Sequence, residues 1–265
     1  MILANIVRRF ELYFQTLCQG HPQDEAMLRL KWDHGLRVQA IMGDLAEALS
    51  LDPVHAVEAE VAGLLHDAGR FEQYLRYHTF ADVRSVDHAR LGCEVVGREG
   101  WLNDMAVPSR SAVLGAIAVH NRKHFEPLPD PAAQRLALML RDGDKLDILH
   151  LVTEYFSSGQ EARNAGIELD LPDTPRLSDA VVQSFLDGHM VSMADLETVH
   201  DFKVLQMGWI YDLQFPWTRR QVRDLGYMER LYETLPDHPH RAAVGRRLVQ
   251  WLMASPESPM SPKSG

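Results

Sequence analysis

The chain has 265 residues, of which 46 % are apolar and 24 % charged, a composition that is typical of a globular protein with a large buried core. The net charge of -10 predicts a surface that repels polyanions, so broad binding to nucleic acid is not expected. The N-terminus is too short in its apolar run for a secretory signal, and the longest apolar-plus-glycine run, 112–119, is far too short to span a membrane.

The two cysteines, Cys18 and Cys93, are far apart in the sequence. Their number and spacing favour neither a disulfide scaffold nor a cysteine metal clip. We therefore expect two reduced thiols and a location in the reducing cytoplasm.

Helical periodicity is the main pattern in the first half of the chain. The dipeptide Asp52-Pro53 combines a capping residue with a first-turn proline and predicts the start of a helix. Gly69 is the predicted end of that helix. Each predicted helix presents a stripe of mostly apolar residues at helical spacing: 30–49, 54–68, 88–95, 113–120 and 140–151. Ser85 or Asp87 is the expected N-cap of the third.

The C-terminal third contains three further amphipathic segments, which are separated by proline or glycine: 195–213, 218–235 and 238–253. Alternating patterns typical of strands are scarce. The sequence therefore predicts an all-α fold.

Polar residues occupy several positions where these helices would otherwise present apolar side chains to the core, namely His34, His88, His120 and Asp144. A buried carboxylate without a partner is very costly, and buried imidazoles need partners too. A metal cation would satisfy several such groups at once, and imidazole with carboxylate suits Mn, Fe, Ni or Zn. Any one of these histidines alone is more often an ordinary core or surface residue, so the joint pattern carries the hypothesis.

The dipeptide His66-Asp67 strengthens this pattern and carries a family resemblance. His34, then His66-Asp67 within LLHDAGRFEQY, then Asp144 within RDGDKLDIL resembles the HD-domain superfamily of metal-dependent phosphohydrolases. The resemblance covers roughly residues 30–150 and implies an all-α helical bundle. It also implies that these four residues bind the first divalent metal ion.

Two further histidines resemble the additional ligands of the binuclear HD subgroup. His88 lies within SVDHARLG and His120 within AIAVHNRKH, and in that subgroup Asp67 would bridge the two ions. The alternative is a mononuclear enzyme in which these histidines contact substrate or water. His124 is a weaker substitute for His120, because it follows the end of the apolar run.

Basic residues near the predicted ligands are expected to bind the substrate phosphate. Lys145 directly follows Asp144, Arg70 closes HDAGR, and Arg37 lies one turn after His34. The predicted catalytic residues are Asp67, Lys145 and Arg70. Arg122 and Lys123 are interpreted as solvated surface charges.

The expected domain organisation is a single HD-type helical domain over residues 1–254. Its metal-site core covers about 25–155, and a C-terminal helical extension covers about 176–254. Residues 158–178 are rich in turn-forming types and predict a loop. Residues 255–265 lack apolar content that could be buried and predict a disordered tail.

The predicted function is hydrolysis of a phosphate mono- or diester, of a nucleotide or another small phosphorylated metabolite, by metal-activated water. The cofactor would be one or two divalent ions of Mn, Fe, Ni, Zn or Mg. Two alternatives stay open: an HD-type di-iron oxygenase, which has the same order of ligands, and a non-catalytic nucleotide-binding protein. The sequence indicates neither the substrate nor the oligomeric state, although HNRKHFEPLPD lacks the GYP-type continuation of cyclic-di-GMP enzymes.

Overall fold

The protein is described by a computed structural model, which places residues 1–158 and 165–257. In these two ranges the regular structure is helical and no strand occurs. The predicted all-α class is therefore confirmed.

The chain divides into two compact units, Met1–Asp147 (the first unit) and Ile148–Gly265 (the second unit). Compactness does not decide whether two units fold together, so the single domain expected over residues 1–254 stays a prediction. The helices of the first unit are α1 (Ile2–Gly20), α2 (Glu25–Ala48), α3 (Pro53–Leu65), α4 (Ala68–Tyr77), α5 (His88–Glu99) and α6 (Val107–Val119), followed by α7 (Pro131–Ser157), which crosses the boundary.

The first unit is built around pairwise packing of helices. Helix α2 packs along α3, α4 packs along α5, and α6 contacts both α3 and α5. Helix α1, which was not predicted from the sequence, packs Phe10 into this core. The ring centroid of Phe10 lies 5.2 Å from that of Trp32, 5.6 Å from Phe71 and 5.0 Å from Trp101. Such aromatic contacts contribute beyond the area that they bury.

The second unit contains helices α8 (Ala165–Glu168), α9 (Asp179–Leu186), α10 (Val199–Gly208), α11 (Pro216–Asp224), α12 (Tyr227–Glu233) and α13 (Arg241–Met253). Every residue of α10 is buried, and α10 contacts both α9 and α12. A capping box in which Thr198 and Asp201 satisfy each other's backbone groups fixes the start of α10.

Local signals located the starts of two helices, α3 and α5. Asp52 caps α3, accepting hydrogen bonds from the backbone N–H groups of Val54 and His55 at 3.0 and 3.2 Å. Asp87 caps α5 in the same way, which decides between the two expected caps.

Other predicted helix limits were wrong. Helix α3 ends at Leu65, and Gly69 lies inside the next helix, α4. In the segment 195–213 the α-helix begins only at Val199, and 218–235 is interrupted at Gly226, whose φ is +66°. A left-handed residue cannot continue a right-handed helix, so α11 and α12 are separate.

Two predicted segments lie partly outside the described residues. The expected loop 158–178 includes 159–164, and the expected tail 255–265 includes 258–265, and both ranges are outside. Where the loop is described, it contains the short helix α8. Among the described helices, none combines the length and the apolar character that crossing a membrane requires.

Candidate metal centre

The six predicted ligands come together in the first unit. His34 lies within α2 and Asp144 within α7. His66 and Asp67 form the junction between α3 and α4, His88 opens α5, and His120 directly follows α6. The four histidines and Asp67 are at most 5 % exposed. Five separate elements thus deliver their polar groups to one buried place.

Four of these residues form one cluster of facing donor atoms. His34 Nε2 lies 3.1 Å from both His66 Nε2 and Asp144 Oδ1, and His66 Nε2 lies 3.5 Å from Asp144 Oδ1. Asp67 Oδ2 is 3.7 Å from His34 Nε2 and 3.8 Å from His66 Nε2. Ligands bound at about 2.1 Å to one ion lie roughly 3.0–3.4 Å from each other. The cluster is therefore close to the size that a single divalent ion needs.

The other two histidines form a second cluster around the opposite oxygen of Asp67. His88 Nε2 lies 3.0 Å from His120 Nε2. Asp67 Oδ1 is 3.4 Å from His88 Nε2 and 3.8 Å from His120 Nε2. The two oxygens of a single carboxylate thus face two separate histidine pairs.

The remaining ring nitrogen of each histidine is held by an acceptor. His66 Nδ1 donates to the Gly63 carbonyl oxygen at 2.8 Å, and His120 Nδ1 donates to the Ile117 carbonyl oxygen at 2.7 Å. The Nδ1 atoms of His34 and His88 are paired with carboxylates, those of Asp147 at 2.6 Å and Asp82 at 2.7 Å.

These contacts determine the chemistry of the donor set. A carbonyl oxygen can only accept, so Nδ1 carries the proton and Nε2 of a neutral imidazole presents a lone pair. Nε2 lone pairs facing each other at 3.0–3.1 Å, with carboxylates beside them, repel unless a cation lies between them. The residues present therefore fit divalent metal ions.

The two carboxylates are anionic in this surrounding. Burial acts to raise the pKa of Asp67, but the nearby cations Lys31 and Arg70 outweigh burial and hold that pKa well below its ordinary value. Burial also acts to raise the pKa of Asp144, but the contacts of its carboxylate with His34 and His66 outweigh burial and hold that pKa well below its ordinary value. Both groups are thus available as negatively charged ligands.

Lys31 is a residue of this site that the sequence analysis missed. Its Nζ donates to Asp67 Oδ2 at 2.8 Å and lies 5.2 Å from the ring centroid of Phe80. Its position one helical turn before His34 was a usable signal, because residues three apart share a helix face. Lys31 supplies positive charge directly beside the proposed bridging carboxylate.

The predicted phosphate-binding arginines are paired with carboxylates in the structure. Arg37 donates from Nε and Nη2 to both oxygens of Asp147, at 2.6 and 2.9 Å. Arg70 Nη1 donates to Asp82 Oδ1 and Gln73 Oε1, both at 2.9 Å, and also to the Phe80 carbonyl oxygen. Their predicted contact with phosphate stays a prediction.

Two carboxylates that support the histidines were also missed. Asp147 lies three residues after Asp144 on α7, so their shared face offered a signal. Asp82 lies in a 3-10 turn, Asp82–Arg84, and no periodic pattern points to it. Among the remaining basic candidates, Lys145 is buried and its Nζ donates to the Arg141 carbonyl oxygen at 3.3 Å. His124, Arg122 and Lys123 are exposed.

Comparison with known protein families agrees with this geometry. The family model of the HD domain matches residues 32–150. The match supports the predicted relation of the chain to the HD-domain superfamily. The matched range includes all six clustered residues. HD domains bind divalent metal ions, and the structure contains histidine–aspartate groups whose spacing suits such ions. No curated protein and no solved structure matches the chain.

Proposed function

We propose that the HD domain of this protein is a binuclear, metal-dependent phosphohydrolase that cleaves a small phosphate mono- or diester. The observation that carries the proposal is the position of Asp67, whose two oxygens face two pairs of histidine Nε2 lone pairs. Paired ions bridged by one carboxylate are typical of enzymes that transfer phosphoryl groups.

In this proposal His34, His66, Asp67 and Asp144 hold the first ion, and His88 and His120 hold the second together with Asp67. When bound, divalent ions supply Lewis acidity toward a phosphoryl oxygen and activation of water at neutral pH. The carbonyls and carboxylates behind the four histidines orient the rings, as supporting groups of metal sites commonly do.

Lys31 and Lys145 are the proposed cations for the substrate phosphate. Lys31 Nζ lies 2.8 Å from Asp67 Oδ2, so its flexible side chain supplies a positive charge directly beside the proposed centre. Asp67 accepts a hydrogen bond from the attacking water and thereby orients it. The HD domain would therefore contribute charge neutralisation and positioning, which are the main requirements of phosphoryl transfer.

The test is metal analysis of the purified protein, followed by a panel of phosphate esters assayed with Mn, Ni, Fe or Mg. Nucleoside monophosphates, cyclic nucleotides and sugar phosphates form the panel. We expect turnover of at least one ester, and a loss on the order of a thousand-fold in the variant Asp67→Ala. Asp44→Ala, at an exposed position of α2, is the matched control and should keep wild-type turnover.

The same assay separates the alternatives. Turnover of an ester without oxygen supports the hydrolase, whereas strict dependence on iron and O2 would support the oxygenase. Nucleotide binding without turnover would support a non-catalytic binding protein. Appreciable phosphatase activity in Asp67→Ala would contradict the proposed mechanism.

A further inference from the structure

Asp82 connects four elements around the second histidine pair. Its Oδ2 accepts from His88 Nδ1 at 2.7 Å and from Asn121 Nδ2 at 3.2 Å. Its Oδ1 accepts from Arg70 Nη1 and Gln73 Nε2, both at 2.9 Å. Four donors use all the acceptor capacity that a carboxylate commonly offers.

The two histidine pairs are built on the same plan. His34 and His66 are 32 residues apart, and so are His88 and His120. In each pair a carboxylate holds Nδ1 of the first histidine, and the carbonyl three residues earlier holds Nδ1 of the second. Asp82 therefore has the same relation to His88 that Asp147 has to His34.

The segment that carries Asp82 has other anchors as well. Gln73 Nε2 donates to Ser85 Oγ at 2.8 Å and to the Val86 carbonyl oxygen at 3.0 Å. Ser85 Oγ donates to the Ala81 carbonyl oxygen at 2.9 Å. The contact between Asp82 and His88 is therefore not needed to fix the path of this segment.

We propose that Asp82 is a positioning residue that fixes the His88 ring and thereby sets the affinity of the second metal ion, separately from the first. This inference rests on the metal-binding part of the proposed function. A carboxylate on Nδ1 fixes the tautomer and the ring orientation and makes Nε2 a stronger ligand, and loss of such a group typically costs 10–100-fold in metal affinity. Arg70 then serves the second site, because it pairs with Asp82 and its Nε lies 3.4 Å from Asp67 Oδ1.

The experiment titrates the metal-free full chain with Mn²⁺ alone, by calorimetry and by electron paramagnetic resonance. Wild type should bind two ions and show the spectrum of a coupled manganese pair. Asp82→Ala should bind the first ion within about threefold of wild-type affinity and the second about 10–100-fold more weakly. Asp147→Ala is the mirrored control, in which the first ion should be the weakened one.

Asp82→Asn provides a second variant, since it keeps the side-chain volume and one acceptor oxygen. Its affinity for the second metal ion should lie between those of wild type and Asp82→Ala. The inference is overturned if Asp82→Ala binds its second ion as tightly as wild type. It is also overturned if both ions weaken equally as the melting temperature falls, since that indicates a general structural role. Wild type that binds two ions while Asp82→Ala is unaffected overturns this inference alone. Wild type that binds one ion overturns this inference and the binuclear form of the proposed function, and wild type that binds none overturns the proposed function as a whole.

Discussion

At the scale of single residues, His66 and His120 show how local position decides chemical state. Each directly follows a helix, and its Nδ1 donates to the carbonyl oxygen three residues earlier. That bond fixes the tautomer and turns Nε2 toward the cluster. The proposed ligand character of these imidazoles thus comes from the end of a helix as much as from the residue type.

Lys203 of the second unit is a buried cation outside the proposed metal centre. Its Nζ donates to the Thr234 carbonyl oxygen at 3.1 Å and lies 4.3 Å from the ring centroid of Phe156. Among the described residues, no carboxylate forms an ion pair with it. Burial lowers the pKa of Lys203 to about 8, although Asp173 and Glu168 act in the opposite direction.

Lys203→Met should therefore stabilise the protein at neutral pH. An unfolded lysine has a pKa near 10.4, so the unfolded chain binds the extra proton between about pH 8 and pH 10.4, and wild-type stability rises with pH there. Replacing the ammonium removes the free-energy cost of burying a charge but leaves the Thr234 carbonyl oxygen without its hydrogen bond. The free energy of unfolding should therefore rise by about 1–2 kcal/mol at pH 7.

Thermal melting of wild type and Lys203→Met from pH 6.5 to pH 10.5 checks this expectation. The difference in melting temperature should be largest at the acidic end and shrink as the pH rises. A difference that does not change with pH, or a less stable variant at pH 7, would contradict it.

At the scale of elements, the crossing of α4 and α5 positions His88 of the second histidine pair. A Cβ on Gly69 would lie 2.3 Å from the His88 carbonyl oxygen and 2.5 Å from the Gly92 backbone nitrogen. No side chain fits there, so the two helix backbones are in contact. This contact brings the start of α5, with His88, against the start of α4, with Asp67.

Gly69→Ala should separate these helices. Because the obstructing atoms belong to backbone, the free energy of unfolding should fall by about 1–3 kcal/mol or more, and binding of the second metal ion should weaken. Gly97→Ala is the matched control, since Gly97 is exposed on α5 with open space around it. It should be neutral or stabilising by up to about 1 kcal/mol. Urea unfolding measures both variants, and equal stability of the two would refute the close crossing.

At the scale of the whole molecule, all proposed ligands lie in the first unit, Met1–Asp147. The donors come from distant parts of the sequence, so the complete site exists only in the folded chain. Metal binding should therefore stabilise the folded state by mass action.

A chelator should lower the melting temperature of the wild-type protein. Free Mn²⁺ at a hundred times its dissociation constant stabilises by about 2.7 kcal/mol, which corresponds to a shift of several degrees in a protein of this size. Calorimetry with EDTA and with Mn²⁺ measures the shift. The melting temperature of Asp67→Ala should shift much less between EDTA and Mn²⁺. An unchanged wild-type melting temperature would argue against a metal centre.

The sequence by itself determined the helical class, the cap Asp52 and the candidate ligands, and it narrowed the cap of α5 to Ser85 or Asp87. These features depend on residue type and on short spacings, which act within a turn or two of helix. The HD-domain match over residues 32–150 covers all six candidate ligands.

Only the tertiary structure decided how these residues meet. The break at His66 and Asp67, the Asp82 contacts, the place of Lys31, and the pairing of Arg37 and Arg70 with carboxylates all depend on packing between distant segments. Asp82, in a 3-10 turn, and Lys31, near one end of the stripe 30–49, have no local preference for such contacts. Their partners become neighbours only when apolar surfaces far apart in sequence are buried together, because that burial, rather than any local pattern, fixes which helices touch.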